Sequence, residues 1–543
     1  MNFHNKSLVF VLGNNALLLQ DYIKRLNLKP FSLKAIEFAN FLVKFLIQKE
    51  QKIKLQEIES MRFHNEIGSS GAYFISTALL SLVNLKYLDL SNNKICNEGA
   101  KFLGEYLKAN KNILKLNLQH NKLEKDGVKY IFEALQDNKK ILNINLSYNY
   151  TYKEGSVFIK AFLFFNKSLE ELDVSHNKLS EEGIQNISES LLEHKSIQKL
   201  LLSNNNLGNH GAISLSKLLL LSTNSNLSAI NLSNNNIKNE GAVALFESLI
   251  NSNNKSLVKL QLANNKLDST AIPALAEYIK STSSLRELVI NNNEIGRKGG
   301  FLISDALASN ATVEKLNLAA SSLDELGIKY ILESLTDNET LAELNLSSNN
   351  FNNYCCELLN TLLHNNKTLS QLDLSDSEID DEGVSAFIEA LDETSNLSRI
   401  NLQMNNISDI GTKELAVCIF NKRLKLNKID LSINLIKNEG VSLLFKCVKT
   451  NKIEDLLLSG NYIESKYCDE IATSLVISCS AKVIDLSSNS LSEEGIIEIL
   501  NAASISSSLE LINISNNAES LKKINNIVNE IKTLKPDMKI ISK

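Results

Sequence analysis

Proline is scarce in this sequence, with only Pro30, Pro273 and Pro536 among 543 residues. Glycine is also sparse at 20, so no Pro/Gly-rich linker divides the chain. The three or four separate domains that length alone implies, at about 150 residues each, are therefore not expected. Arginine occurs only at positions 25, 62, 286, 297, 399 and 423, a small part of the 57 basic residues. Against these stand 62 acidic residues, giving a net charge of −5. That balance excludes a general nucleic-acid binder, whose affinity rests on a basic surface. Abundant Lys, Asn and Ile fit the coding bias of an AT-rich genome. No apolar run reaches the roughly 18 to 20 residues that a bilayer requires, so no membrane insertion is expected.

The apolar run Leu8 to Leu12 is broken at Gly13-Asn14-Asn15 and lacks a basic start or a small-residue cleavage site. It reads as folded structure rather than a signal peptide. The seven cysteines, at 96, 355, 356, 418, 447, 468 and 479, form no C-x-x-C pair. An odd count so spaced fits reduced thiols and a cytoplasmic location.

What the sequence has is repetition. The phrases LKYLDLSNNKI, LEELDVSHNKL, LSAINLSNNNI, LAELNLSSNNF and LNKIDLSINLI share one pattern, L-x-x-L-x-L-x-x-N. Its last position falls at 93, 121, 149, 177, 205, 235, 265, 293, 321, 349, 377, 405, 434, 461, 489 and 517. Eleven of the fifteen intervals are 28 residues, and fourteen of the sixteen anchors are Asn. Six residues after the anchor stands Gly at 71, 99, 127, 155, 183, 211, 241, 299, 327, 383, 411, 440 and 495. Asn65, Ile67 and Gly71 mark a degenerate unit in the same phase. Thirteen of 20 glycines in one register imply close approach of backbones there.

Within one unit, Leu85, Leu88 and Leu90 give a short strand, with Tyr87, Asp89 and Ser91 facing the other way. The anchor amide both donates and accepts, so stacked anchors predict a ladder to neighbouring turns. Asn97-Glu98 and Asn239-Glu240 suit a helix start, Ala100, Leu103 and Leu107 its buried face, and Asn110 an αL C-cap. No unit buries its apolar face alone, so the fold expected is an α/β solenoid. Strands lie about 4.8 Å apart and helices about 10 Å apart, which predicts a horseshoe with a parallel sheet on the concave side and helices outside.

These residues resemble leucine-rich repeat proteins, and the 28-residue unit with its E-G-A helix start is similar to the ribonuclease-inhibitor subtype. The resemblance spans residues 57–517, some 16 to 17 repeats, departing at Ser321, Ser377, Ala271, Cys355 and Tyr467. Residues 1–56, with an amphipathic stretch over 32–50, suit an N-terminal helical cap. Residues 518–543 suit a C-terminal cap of a Lys-rich helix and a strand over 538–542. The subtype includes inhibitors, GTPase-activating proteins, immune sensor domains and secreted bacterial effectors. Coding bias and the expected lack of an appended catalytic domain favour an effector that binds a host protein after delivery into the host cytosol. A GTPase-activating regulator is the alternative, disfavoured by the scarcity of arginine for a finger.

Chemistry is nearly absent. The seven histidines show no metal-ligand spacing, and there is no phosphate-cradling loop or nucleophile elbow, so no enzyme, cofactor or metal is expected. Cys355 and Cys356 sit at a helix start, where thiolates can be activated, but read better as packing; Cys418 and Cys447 read as core. The run Asp373, Asp376, Asp380, Asp381, Glu382 puts its first two acids on the concave strand and the rest at a helix start, unlike a calcium loop.

Binding remains. Residues 28 apart are neighbours, so His120, Tyr148 and His176 form a stripe on the concave face, with Tyr87, Tyr150 and Tyr152 close by. Aromatic groups with polar tips are common interface centres. The same column later reads Met404, Ile433 and Gly460; Leu457 lies in an inner column, and Leu435 and Tyr462 follow their anchors. These form a second, apolar patch. Lys115, Lys199, Lys259 and Lys315 mix with Glu171, Glu287 and Glu343, so no groove of one sign is expected. The expected partner is a protein, bound by a monomer.

Overall fold

A computed structural model describes residues 7–11, 59–64, 67–80, 82, 84–221, 226–391, 395–422, 424–450, 452–478, 480–517 and 522–542. The amphipathic stretch at 32–50, Asn65 and Cys479 lie outside the described residues. The chain divides into two units, Met1–Leu267 and Asp268–Lys543.

In the first unit, strand Ser7–Val11 pairs with Ser60–His64, and three-residue strands follow from Tyr87–Asp89 to Lys259–Gln261. Every neighbouring pair is parallel and in sequence order, offset by one repeat, as in Tyr87 against Lys115 and Lys115 against Asn143. The apolar run read at Leu8 is thus a strand of this sheet. In the second unit, strands run in the same manner from Glu287–Val289 to Lys539–Ile541. A helix, Lys522–Leu534, precedes that last strand. Both units are α/β leucine-rich repeat solenoids.

The three-residue strand follows from its alternation. Leu88 is buried between sheet and helices, while Tyr87 and Asp89 remain half-exposed on the open face. Ser91 does not continue that alternation. It is buried, and its N–H donates to Asp89 Oδ1 at 2.9 Å. The same bond recurs at Ser175 with Asp173 and at Ser375 with Asp373, so the last strand residue shapes the turn that follows.

The anchors form the ladder that their chemistry allows. Asn121 Nδ2 donates to Leu118 O in its own turn and to Leu90 O in the preceding one, at 2.9 and 3.0 Å. Its Oδ1 accepts from the N–H groups of Asn93 and Ile95 at 3.2 and 2.9 Å. Each amide thereby satisfies buried backbone groups that water cannot reach. At Ser321 and Ser377 the hydroxyl reaches only its own turn, at Ala319 O and Ser375 O.

A second ladder runs at the other end of the helices, where the sequence pointed to αL caps. Asn110 is extended, with φ −94° and ψ 104°. Its Nδ2 donates to Tyr106 Oη at 2.8 Å and reaches Leu85 O in the preceding repeat at 3.4 Å. Asn138 and Asn166 stand in the same phase. Asn166 Nδ2 donates to Asn138 O at 2.9 Å, and its Oδ1 accepts from Ser168 and Leu169 N–H. A helical end with its amide engaged between repeats has no need of a left-handed residue.

The glycine phase marks close approach. A Cβ on Gly411 would stand 2.6 Å from Asp381 Oδ1 and 3.1 Å from its Cα. Gly411 N–H donates to that same Oδ1 at 2.9 Å. Residues at a helix start therefore cap the helix of the next repeat: Asn97 Oδ1 accepts from Gly127 N–H at 2.8 Å, as Asp381 Oδ1 does from Gly411 N–H.

Candidate functional site

Two surfaces are open to a partner in each unit, and they separate residues that the sequence had grouped. One is the uncovered face of the sheet. In the first unit it is a groove over the strands that includes Tyr87, Lys115 and Glu171, with Lys115 Nζ 5.7 Å from the Tyr87 ring centre. In the second it includes Glu287, Lys315, Glu343 and, near one end, Leu457. Neighbouring charges there neutralise one another: Lys199 pairs with Glu171 at 3.4 Å and Lys315 with Glu343 at 2.7 Å.

The other surface is the turn immediately after the strands. His120, Tyr148 and His176 are not on the sheet face with Tyr87. They stand one residue before the anchor, where the backbone is left-handed in every repeat from Asn92 to Asn516. Asn occupies this position at 92, 204, 234, 264, 292 and 516, and Gly at 460, residues that tolerate positive φ. His120, Tyr148, His176, Met404 and Ile433 have φ of 54°, 58°, 56°, 55° and 55°. For a bulky or β-branched side chain this conformation costs on the order of 1–2 kcal/mol. Asp376 also belongs here, with φ 51°, and not on the strand.

The backbone arrangement projects a stack of rings. Tyr148 and His176 are parallel, centroids 3.8 Å apart and planes at 13°, and His120 meets Tyr148 edge-on at 5.7 Å. Beside them Lys178 Nζ lies 5.2 Å from the Tyr150 ring and 5.8 Å from that of Tyr152. His120, Tyr148, Tyr150 and His176, with Lys94, Lys122 and Lys178, border a groove of about 640 Å³. Partial burial lowers the His176 pKa, opposed by the charge of nearby Asp173.

In the second unit Met404 and Ile433 occupy the left-handed position, and Leu435 and Tyr462 the position after the anchors Asn434 and Asn461. All four are 44% to 55% exposed, so this is open apolar surface. Gly460 makes room for it: a Cβ there would stand 3.1 Å from Ile433 Cγ1.

Five segments, residues 81–104, 109–132, 165–188, 223–246 and 365–387, match the Leucine Rich repeat family. The chain is a leucine-rich repeat protein. No curated protein matches it. Leucine-rich repeat solenoids are typically non-catalytic binding scaffolds. Burial pushes the Cys355 and Cys356 thiols up to about 12, so both stay protonated and pack against neighbouring repeats. Cys418 and Cys447 are likewise buried. The acids of the 373–382 run serve the fold: Asp380 caps its helix at Gly383 N–H, and Asp381 accepts from Ser408 and Gly411. Among the described residues no His, Cys, Asp and Glu cluster could hold a metal, and no helix is long and apolar enough to cross a membrane.

Proposed function

We propose that this leucine-rich repeat protein is a non-catalytic scaffold that grips a protein partner with the turns following its strands, at the His120–Tyr148–His176 stack and at the Met404–Ile433–Leu435–Tyr462 patch. One observation carries the proposal. Five bulky side chains are held in a left-handed turn that Asn or Gly fills at lower cost elsewhere in the same chain. Strain of this kind is kept where the displayed side chain has work to do. Tyr87 and Leu457, on the open sheet faces, lie at the margin of such an interface.

A rigid turn array presents its contacts with little ordering on docking, so the mechanism is occlusion of the partner rather than turnover. The coding bias of the sequence favours an effector acting on a host protein in the host cytosol. Capture from eukaryotic lysate tests the scaffold reading. Tyr148→Ala with His176→Ala, or Met404→Asp with Ile433→Asp, should abolish capture of a partner without lowering the melting temperature. Retention of every partner by both double variants would refute it.

A further inference from the structure

The groove beside the ring stack has a chemistry that the sheet faces lack. Lys94, Lys122 and Lys178 line it together with His120, Tyr148, Tyr150 and His176, and no carboxylate does. On the sheet faces, by contrast, Lys199 is paired with Glu171 and Lys315 with Glu343. One ring face of Tyr148 and one of His176 are turned on each other, and His120 meets Tyr148 at a steep angle. The ring edges carry positive quadrupolar charge, with the imidazole N–H and phenol O–H donors.

A surface made of ammonium groups and ring-edge donors calls for a ligand rich in anionic acceptors. Two classes fit that charge: a nucleic-acid strand and an acidic protein segment. A single strand gains much of its affinity by stacking bases on free aromatic faces. Here the facing sides of Tyr148 and His176 are taken up inside the stack. Lys178 lies against Tyr150 and Tyr152, which covers part of their faces too. Carboxylates need only the edges and the ammonium groups.

The spacing is also suitable. Lys122 and Lys178 stand two repeats apart, about 10 Å at strand spacing, a distance that three residues of extended peptide cover at about 3.3 Å each. We infer that this groove binds an acidic segment of the partner protein in extended form, carboxylates on Lys122 and Lys178 and on the ring edges of His120, Tyr148 and His176. The inference rests on the scaffold reading and names the chemistry of its first patch.

Fluorescein-labelled decaglutamate, decaglutamine and ten-nucleotide oligothymidylate, titrated by anisotropy against the full chain, test it. Decaglutamate should bind, weaken as salt rises, and lose about tenfold in affinity in the Lys122→Glu/Lys178→Glu variant. Reversal of Lys111 and Lys195, which lie outside the groove, should change affinity less than twofold. Lys122→Gln/Lys178→Gln should weaken binding to an intermediate degree with an unchanged melting temperature. No decaglutamate binding, equal binding by decaglutamine, an equal loss from the Lys111/Lys195 control, or tighter binding of oligothymidylate would overturn the inference. If decaglutamate fails while the Tyr148→Ala/His176→Ala variant still loses a captured protein, only this inference falls. The scaffold reading falls when neither patch variant loses a partner.

Discussion

His176 lies flat on Tyr148, centroids 3.8 Å apart, although the two are 28 residues distant in sequence and both sit in left-handed backbone. The repeat length makes them neighbours. The left-handed turn then lifts both rings clear of the solenoid interior. A stack of that kind contributes about 0.5–1.5 kcal/mol, which offsets part of the backbone cost.

Ile433 has no such compensation, being β-branched, half-exposed and at φ 55°. Ile433→Asn should therefore stabilise the fold by about 1 kcal/mol, since Asn tolerates this conformation. Chemical denaturation would show a higher midpoint, together with weaker partner capture. A lower midpoint would mean that the turn carries no strain.

The anchor ladder gives a graded expectation. Asn177 Oδ1 accepts from Asn149 and Thr151 N–H, and its Nδ2 donates to Leu146 O and Val174 O. Asn177→Ala would leave the Asn149 and Thr151 N–H groups without an acceptor, at about 1–3 kcal/mol for each one unsatisfied, while Leu146 O and Val174 O keep the amides of Asn149 and Asn205. A loss of at least about 2 kcal/mol in unfolding free energy is expected. Conversely, Ser321→Asn restores a rung and should add about 1 kcal/mol.

His194 stands in the phase of Asn110, Asn138 and Asn166 and is fully buried. Burial, with Lys167 adding to it, pushes its pKa down to about 4 against the slight pull of the Asn166 carbonyl. The unfolded chain takes up the proton near 6.5 and the folded chain only near 4, so the unfolded state holds more protons between. Stability should thus fall as pH drops from about 6.5 to about 4, by up to about 3 kcal/mol from this group. His194→Asn should raise the melting temperature at pH 7 and flatten its decline over that interval. An unchanged slope would show that other groups govern it.

Thiol reactivity should be equally uneven. Burial pushes the Cys96 thiol up, but the Ser69 hydroxyl and the amides of Glu98 and Gly99 at the helix start outweigh it and lower its pKa. Cys355, Cys356 and Cys447 are raised to about 12 by burial. Alkylation of the native protein followed by peptide mapping should label Cys96 first among these and leave the other three unlabelled until denaturant is added.

The fold was legible because its period is a physical requirement: strands must align repeat by repeat for Asn121 to bridge two turns. The site was only half legible. Spacing brought His120, Tyr148 and His176 together, but periodicity carries no φ, so their column was set on the sheet face with Tyr87. The missed signal was the Asn at 92, 204, 234, 264, 292 and 516 with Gly460, a composition that marks left-handed backbone. The second ladder was missed likewise, although Asn110, Asn138, Asn166, Asn310, Asn338 and Asn366 share one phase. Asn110 was read only as a cap of its own helix, and its bond to the preceding repeat is visible only in three dimensions.

Hydroxyl-radical footprinting of a captured complex tests most directly whether the turns after the strands hold the partner. The account predicts protection of Tyr148 and Tyr150, or of Met404 and Tyr462, while the exposed helical residues Phe164, Phe165 and Phe420 oxidise as in the free chain. Protection confined to those phenylalanines, with all four turn residues oxidised freely, would contradict it.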